Sequence, residues 1–248
     1  MPVHYGDRSR NFITVSSPLA TQIPHAAGAG YAYKLMGKKC VAFTYYGEGA
    51  ASEGDYHAAI NFASTLKCPT VFYCRNNHYA ISTPSSEQYS GEGTAPRGLA
   101  YGVETIRVDG NDMFAVYEVT KAARDKASKE QRPIMIESMS YRVGHHSTSD
   151  DSTRYRSIEE IQSWEAQSPI LRARKYLESK GWYDEARMAI FEKEVRKESV
   201  QELVKAEKAE MPHHSELFMD VYDEPLPTLL EQQAELKAHM ERNPAHFK

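Results

Sequence analysis

Two short segments hold the residue types that could do chemistry. Gly47-Glu48-Gly49-Ala50 closes one β-branched and aromatic run, and Arg75-Asn76-Asn77-His78-Tyr79 closes the next after a stretch of helical spacing. Glycines let a backbone approach a phosphate closely, and a carboxylate with a carboxamide and carbonyls is the hard-oxygen set that Mg²⁺ prefers. An acid between glycines at one strand end, with an Asn pair at the next, reads as a metal-diphosphate site. Gly-Glu-Gly alone would fit a tight strand-to-helix turn whose acid complements a helix N-terminus. The Arg75–Tyr79 segment tips the reading toward the site.

Other candidates each have a plainer reading. Ser16-Ser17-Pro18-Leu19-Ala20-Thr21-Gln22 looks like a helix N-cap, with serine hydroxyls ahead of a helix and Pro near its start. His145-His146 could suggest zinc, but adjacent histidines do not easily reach one ion, and no Cys or third His lies at ligand spacing. A solvated pair is the plainer reading. Ser147 and Ser157 stand in or beside a polar loop where phosphorylation is reasonable; otherwise they solvate the loop or cap the helix from Ser157. Asp109-Gly110-Asn111-Asp112 begins like a calcium loop without its later Glu, so a turn and helix cap is expected.

These segments need elements to position them. β-Branched and aromatic runs at Lys39–Tyr46, Thr70–Arg75, Val103–Val108 and Pro133–Tyr141 alternate with helical spacing over Thr21–Met36, Ser52–Leu66 and Asp112–Lys129. That alternation implies an α/β fold: right-handed crossovers and a mostly parallel sheet with helices on both faces. In Thr21–Met36 the small residues Ala26 to Gly30 allow close packing. Ala80–Gly102 and Gly144–Arg156 read as ordered or switchable loops at strand ends, where an open sheet keeps its chemistry. Beyond Ser157 the chain turns charge-rich and helical, over Ser157–Gln167, Pro169–Lys180, Asp184–Glu210 and Leu226–Arg242. The expected organisation is an α/β domain over residues 1–156, with residues 157–248 as its helical C-terminal region. The Lys/Glu pattern of Asp184–Glu210 is a solvated face.

The 248 residues suffice for one large domain, and 41% hydrophobic, 26% charged residues and a net charge of −4 are ordinary. Nothing asks for nucleic acid or an anionic membrane as partner. Cys40, Cys68 and Cys74 form no C-x-x-C pair, which suits a reducing compartment. No apolar run approaches the ~20 residues that span a bilayer, and the N-terminus carries neither a signal-peptide core nor an Arg-rich leader.

With those segments in hand, the chain resembles the α subunits of thiamin-diphosphate-dependent 2-oxo acid dehydrogenases. The likeness is strongest to the branched-chain (2-oxoisovalerate) type. It runs in order through Met1-Pro2-Val3-His4-Tyr5-Gly6, Ser16–Pro24, the two half-motifs, Tyr79-Ala80-Ile81-Ser82-Thr83-Pro84, Arg107–Asp112, and Tyr141-Arg142-Val143-Gly144-His145-His146-Ser147-Thr148-Ser149-Asp150-Asp151. The resemblance implies a thiamin-diphosphate-binding fold in which Glu48, Asn77 and the main-chain carbonyl of Tyr79 ligate Mg²⁺. It implies that Gly49, Ala50 and Arg75 contact the diphosphate, and that Ser17 and Leu19 face the cofactor. Ser16, Pro18, Thr21 and Gln22 correspond to a structural K⁺ site, compatible with a capping turn because both gather oxygens. His146 would lie beside the thiazolium as the catalytic group, and Ser147 and Ser157 correspond to kinase sites, Ser147 the inactivating one. Glu at position 48, where many thiamin enzymes carry Asp, is usual in the branched-chain subfamily.

The reaction so implied is oxidative decarboxylation of branched 2-oxo acids, with acyl transfer to lipoyl groups, in branched-chain amino-acid catabolism. The implied partners are a β subunit in an α₂β₂ heterotetramer, a lipoyl-bearing acyltransferase core, and a regulatory kinase and phosphatase. Part of the C-terminal helical region is expected at subunit contacts, and the implied compartment is the mitochondrial matrix. Family α subunits begin upstream of this Met1 and carry there a Tyr-Arg pair that helps hold the diphosphate, so an N-terminally truncated form is expected. Two alternatives stand beside this reading: a pyruvate dehydrogenase α subunit, and a non-catalytic truncated paralogue that binds the β subunit or the kinase.

Overall fold

The computed structural model describes residues 4–219 and 222–247. Met1, Pro2 and Val3, which open the segment matched to the family, lie outside the described residues. Two compact units are present, Met1–Tyr183 and Asp184–Lys248.

The first unit runs α1 (Gln22–Leu35), β1 (Ala42–Gly47), α2 (Gly54–Leu66), β2 (Thr70–Asn76), a short antiparallel pair β3 (Tyr79–Ala80) and β4 (Thr83–Pro84), then α3 (Ser85–Gln88) and α4 (Ala95–Ala100). It continues with β5 (Glu104–Asp109), α5 (Met113–Glu130), β6 (Ile134–Met139), α6 (Ile158–Glu165) and α7 (Pro169–Ser179). The main sheet has the order β1-β2-β6-β5, and every neighbouring pair is parallel. This is the expected α/β arrangement. Strand ends differ from the sequence reading by a few residues; β1 starts at Ala42 because Lys39 and Cys40 are exposed and outside the ladder.

Side chains alternate across a strand, so each strand serves two layers. Phe72, Cys74, Tyr46 and Met135 point to the layer closed by Ile23 and Ala27 of α1 and by Tyr56, Ala59, Ile60 and Ala63 of α2. Val71, Ile134, Ile136 and Val108 point the other way, against Ala123 and Ala127 of α5. Fully buried side chains such as Phe72, Ile60 and Ile136 each contribute about 1.5–3 kcal/mol. Cover on the second face thins over β1, where Tyr45 is 63% exposed.

Small residues on α1 bring the helix close to the sheet, as expected. A Cβ on Gly30 would sit 3.0 Å from the Pro69 carbonyl oxygen and closer still to Thr70 Oγ1, while Gly28 faces open space. Asp112 caps α5 by accepting the N–H groups of Phe114 and Ala115 at 3.0 and 3.1 Å, so the calcium-like segment is a turn and cap.

The second unit contains α8 (Glu185–Glu207), a short 3₁₀ turn (His214–Phe218) and α9 (Pro227–Arg242). Among its described residues none of α8 or α9 is buried, and α8 exposes Ile190, Phe191, Val195, Val200 and Leu203 beside its charged positions. No described helix is long and apolar enough to cross a membrane.

Candidate active site

Glu48 sits one residue beyond β1, and Asn77 one residue beyond β2. Because β1 and β2 pair in parallel, with Gly47 opposite Arg75, their C-terminal ends emerge together. The Glu48 side chain is fully buried. Its Oε2 accepts the backbone N–H of Asn77 at 3.0 Å, while its Oε1 is buried without a protein partner. A buried carboxylate oxygen left unsatisfied is costly, so this one is suited to an external cation. Burial pushes the Glu48 carboxyl above the ordinary range; the Asn77 N–H and the charges of Arg142 and Arg75 offset only part of that.

The turn after β2 is strained and tied to this carboxylate. Asn77 Oδ1 accepts the N–H of Tyr79 at 3.2 Å, Asn76 Oδ1 accepts that of His78 at 3.2 Å, and His78 lies at φ 69°. Ile81 in the same hairpin has φ 57°, unusual for a β-branched residue. Backbone held in such regions concentrates where ligands are clamped, because surrounding contacts must enforce it. Gly49 is the other wall: a Cβ there would stand 3.0 Å from that of Ala80. Gln88 closes the near side, donating to the Glu48 carbonyl at 3.0 Å and to Ser52 Oγ at 2.8 Å.

The structure thus brings Glu48, Asn77 and Tyr79 together, with Gly49 and Ala50 on the adjoining turn. Arg75 is exposed and donates from Nη2 to the Tyr141 carbonyl at 3.5 Å. The donor set, one buried carboxylate with a free oxygen, one carboxamide oxygen and nearby carbonyls, fits a hard divalent cation, and the two arginines fit an anion held beside it. A site of this kind differs from a zinc cluster. Among the described residues no three His, Cys, Asp or Glu side chains gather to hold a metal, and His145 Nδ1 is instead engaged by Ser152, whose N–H it accepts at 3.1 Å.

Ahead of α1 the expected serine cap does not form. Thr21 occupies the cap position in helical conformation without a side-chain cap bond, and Ser17 Oγ bonds the His4 ring instead. The reason is Ala20, buried at φ 64°, which redirects the chain so that the serines lie too far upstream to reach the helix N–H groups. Thr21 Oγ1 donates to the Pro18 carbonyl at 3.3 Å and Gln22 Nε2 to the Tyr45 carbonyl on β1 at 3.2 Å. Leu19 is exposed and Ser16 half-buried.

The loop carrying His146 is an ordered strap. Arg156, buried, donates to the carbonyls of Val143 at 2.9 Å and Gly144 at 2.8 Å, to that of Arg142, and to Ser152 Oγ at 3.0 Å. Its guanidinium lies over the rings of Tyr141 and Tyr79, 5.2 and 5.7 Å from their centroids. Arg142 ties the strap to the hairpin through the Ile81 carbonyl at 2.6 Å and the Tyr155 hydroxyl at 2.8 Å. His146 and Ser147 are exposed on it, the His146 N–H held by Asp150 at 2.8 Å. Ser157 caps α6, accepting the Glu160 N–H at 3.1 Å.

Sequence reasoning gave no role to Arg142, Arg156, Glu160 or Glu137. Glu137 is buried in the middle of β6. Burial would push its carboxyl up, but donors from Asn76, the N–H groups of Thr94 and Ala95, and Arg107 outweigh that and hold it below the ordinary range. It thereby fastens the segment after α3 to the sheet. A cavity of about 250 Å³ opens beside it, lined in part by Asn76, His78, Tyr89, Arg107 and Met139.

Comparison with known proteins gives this site a family context. Residues 1–215 match the family described as dehydrogenase E1 component. A 2-oxoisovalerate dehydrogenase subunit alpha, mitochondrial, of Dictyostelium discoideum is 55% identical over all of this chain and 56% of its own length. Proteins of that name from Mus musculus and Caenorhabditis elegans are each 53% identical over all of this chain, and over 56% and 58% of their own lengths. The chain therefore spans a little over half the length of the curated relatives it matches.

Proposed function

The chain belongs to the dehydrogenase E1 component family, and on that premise we propose that it is the α subunit of a thiamin-diphosphate-dependent branched-chain 2-oxo acid dehydrogenase. The observation that carries the proposal is the fully buried Glu48, with one carboxylate oxygen lacking a protein partner beside the Asn77–Tyr79 turn. Its relatives' names supply the substrate class, a branched 2-oxo acid such as 2-oxoisovalerate.

Glu48, Asn77 Oδ1 and the Tyr79 carbonyl would hold Mg²⁺. Gly49 and Ala50 present backbone without bulk to the diphosphate, and Arg75, with Arg142 nearby, balances its charge. Bound thiamin diphosphate supplies the electron sink for decarboxylation. The protein's own part is to orient, to keep the Glu48 pocket dry and to move a proton. His146, exposed on the strap, is the proposed group that holds or passes a proton at an imidazole nitrogen. Ser17 and Leu19 are proposed to face the same cofactor. Ser16, Pro18, Thr21 and Gln22 are proposed to hold K⁺, a reading supported by the Thr21 hydroxyl already resting against the Pro18 carbonyl.

The proposed partners are a β subunit in an α₂β₂ assembly and a lipoyl-bearing acyltransferase core. Apolar residues left exposed along α8 support a covering partner for that unit. Ser147, exposed beside His146 and Asp150, and Ser157, at the cap of α6, are the proposed sites of a regulatory kinase and phosphatase. A phosphoryl group at Ser147 would meet the carboxylates of Asp150 and Asp151 and disrupt the strap by repulsion. The relatives are named mitochondrial, and the matrix is the proposed compartment.

The test is decarboxylation of 2-oxoisovalerate by the full chain co-expressed with a β subunit, using an artificial electron acceptor and pyruvate as comparison. Turnover that requires Mg²⁺ and thiamin diphosphate and prefers the branched acid is the expected result. Faster turnover of pyruvate would move the assignment to the pyruvate class. A folded complex that binds cofactor yet turns over neither acid would leave only a non-catalytic role.

A further inference from the structure

Two residues four apart on one face of α6 reach the metal-binding turn from outside it. Glu160 Oε1 accepts the Tyr79 hydroxyl at 3.0 Å and the Tyr141 hydroxyl at 2.8 Å, and Oε2 lies 3.3 Å from the Tyr79 hydroxyl. One helical turn on, the Trp164 ring stacks on Tyr141, with centroids 5.1 Å apart and planes within 3°, and lies 5.4 Å from the ring of His78. Residues i and i+4 share a helix face, so a single rigid element grips His78, Tyr79 and Tyr141 together.

Each gripped residue bears on the site through its backbone. Tyr79 is the residue whose carbonyl is the proposed metal ligand, and His78 before it is held at positive φ. Tyr141 presents its carbonyl to Arg75, the proposed diphosphate contact. Strained backbone persists only where neighbouring structure over-determines it. Here the neighbouring structure is α6, itself started by the Ser157 cap on the Glu160 N–H.

We propose that Glu160 is a positioning residue for metal-diphosphate binding: its carboxylate fixes the Tyr79 and Tyr141 side chains and so sets both the metal turn and the carbonyl that orients Arg75. This inference rests on the cofactor site proposed above. It adds a residue that touches neither metal nor cofactor.

The test is the affinity of Mg²⁺-thiamin diphosphate, measured by calorimetry on the full chain with its β subunit, for wild type, Glu160→Ala, Glu160→Gln and Tyr79→Phe, with a thermal melt of each. Glu160→Ala is expected to weaken binding tenfold or more. Glu160→Gln keeps a carbonyl oxygen able to accept both hydroxyls, so it should stay within threefold of wild type. Tyr79→Phe should weaken binding severalfold, and the loss in the double variant with Glu160→Ala should be less than the product of the two single losses. If Glu160→Ala does not fold, Tyr79→Phe and Glu160→Gln still decide the matter. Wild-type binding with an unchanged Kd in Tyr79→Phe, or equal losses in the Ala and Gln variants, would overturn the role of Glu160. Absence of binding in the wild-type complex would instead overturn the cofactor site itself.

Discussion

Replacing Glu137 by Ala should be among the most damaging single changes in the first unit, though the residue lies on none of the motifs. Its fully buried carboxylate accepts Asn76 Nδ2 at 2.9 Å, the N–H groups of Thr94 and Ala95 at 2.7 and 3.0 Å, and Arg107 Nε at 3.0 Å with Nη2 at 2.9 Å. Truncation leaves buried donors without an acceptor, each costing about 1–3 kcal/mol. Breaking one side of a buried ion pair costs about 3–5 kcal/mol altogether. Arg107 is 40% exposed and can turn toward water, so a total of about 3–4 kcal/mol is expected, or roughly 6–16 °C in melting temperature for a domain of this size. The pH dependence has a definite sign. A carboxyl held below the ordinary range contributes stability that is present above the unfolded-state value near 4.5 and is lost as pH falls through the lower native value. The advantage of wild type over Glu137→Ala should therefore narrow as pH falls below about 4.5 through that lower value. Urea denaturation of both proteins across pH, with amide exchange at Thr94 and Ala95, measures it. A difference under about 1 kcal/mol at neutral pH, the scale of one ordinary hydrogen bond, would refute the reasoning.

Three further outcomes follow from the same geometry. Arg156→Ala removes the donor to the carbonyls of residues 142–144 and to Ser152, so limited proteolysis should cut the segment 144–154 at least tenfold faster, while Arg156→Lys, with a point charge in place of a planar fork, should rescue only partly. Ser157→Ala deletes the α6 cap and should cost about 1 kcal/mol in a chemical melt. The raised carboxyl of Glu48 has the opposite sign to Glu137: the native metal-free site binds a proton more tightly than the unfolded chain, so stability falls as pH rises from about 4.5 through the raised native value. The metal-free stability difference between wild type and Glu48→Gln should show this decline, and Mg²⁺-thiamin diphosphate should remove it from the wild type; a difference that does not vary with pH would contradict the raised carboxyl.

The sheet and its crossovers were legible in the sequence because β-branched runs, helical spacing and turn residues agree at every level. The adjacency of Glu48 and Asn77 was legible because parallel pairing places successive strand ends side by side, so two separated segments could be expected to meet. Glu137 was not, since it reads only as the interior of a strand, and its donors come from three separate segments, 30 to 61 residues earlier. Glu160 was hidden likewise inside a charge-rich helix, its two tyrosine partners lying outside that helix. The serine cap failed for a different reason: a left-handed alanine at position 20 sets the helix start, and alanine carries no signal for that conformation. At Ser157 the same capping logic succeeded, because the serine directly precedes the first helical residue.

The central claim is that Glu48 and Asn77 hold a metal-bound diphosphate. Calorimetric titration of Mg²⁺-thiamin diphosphate into the full chain co-expressed with a β subunit, beside an Asn77→Ala control, addresses it most directly. Saturable binding in the wild-type complex, lost by a hundredfold or more in the control while the complex stays folded, is the expected result. A folded wild-type complex that takes up no cofactor, or an Asn77→Ala complex that binds it equally well, would contradict the account.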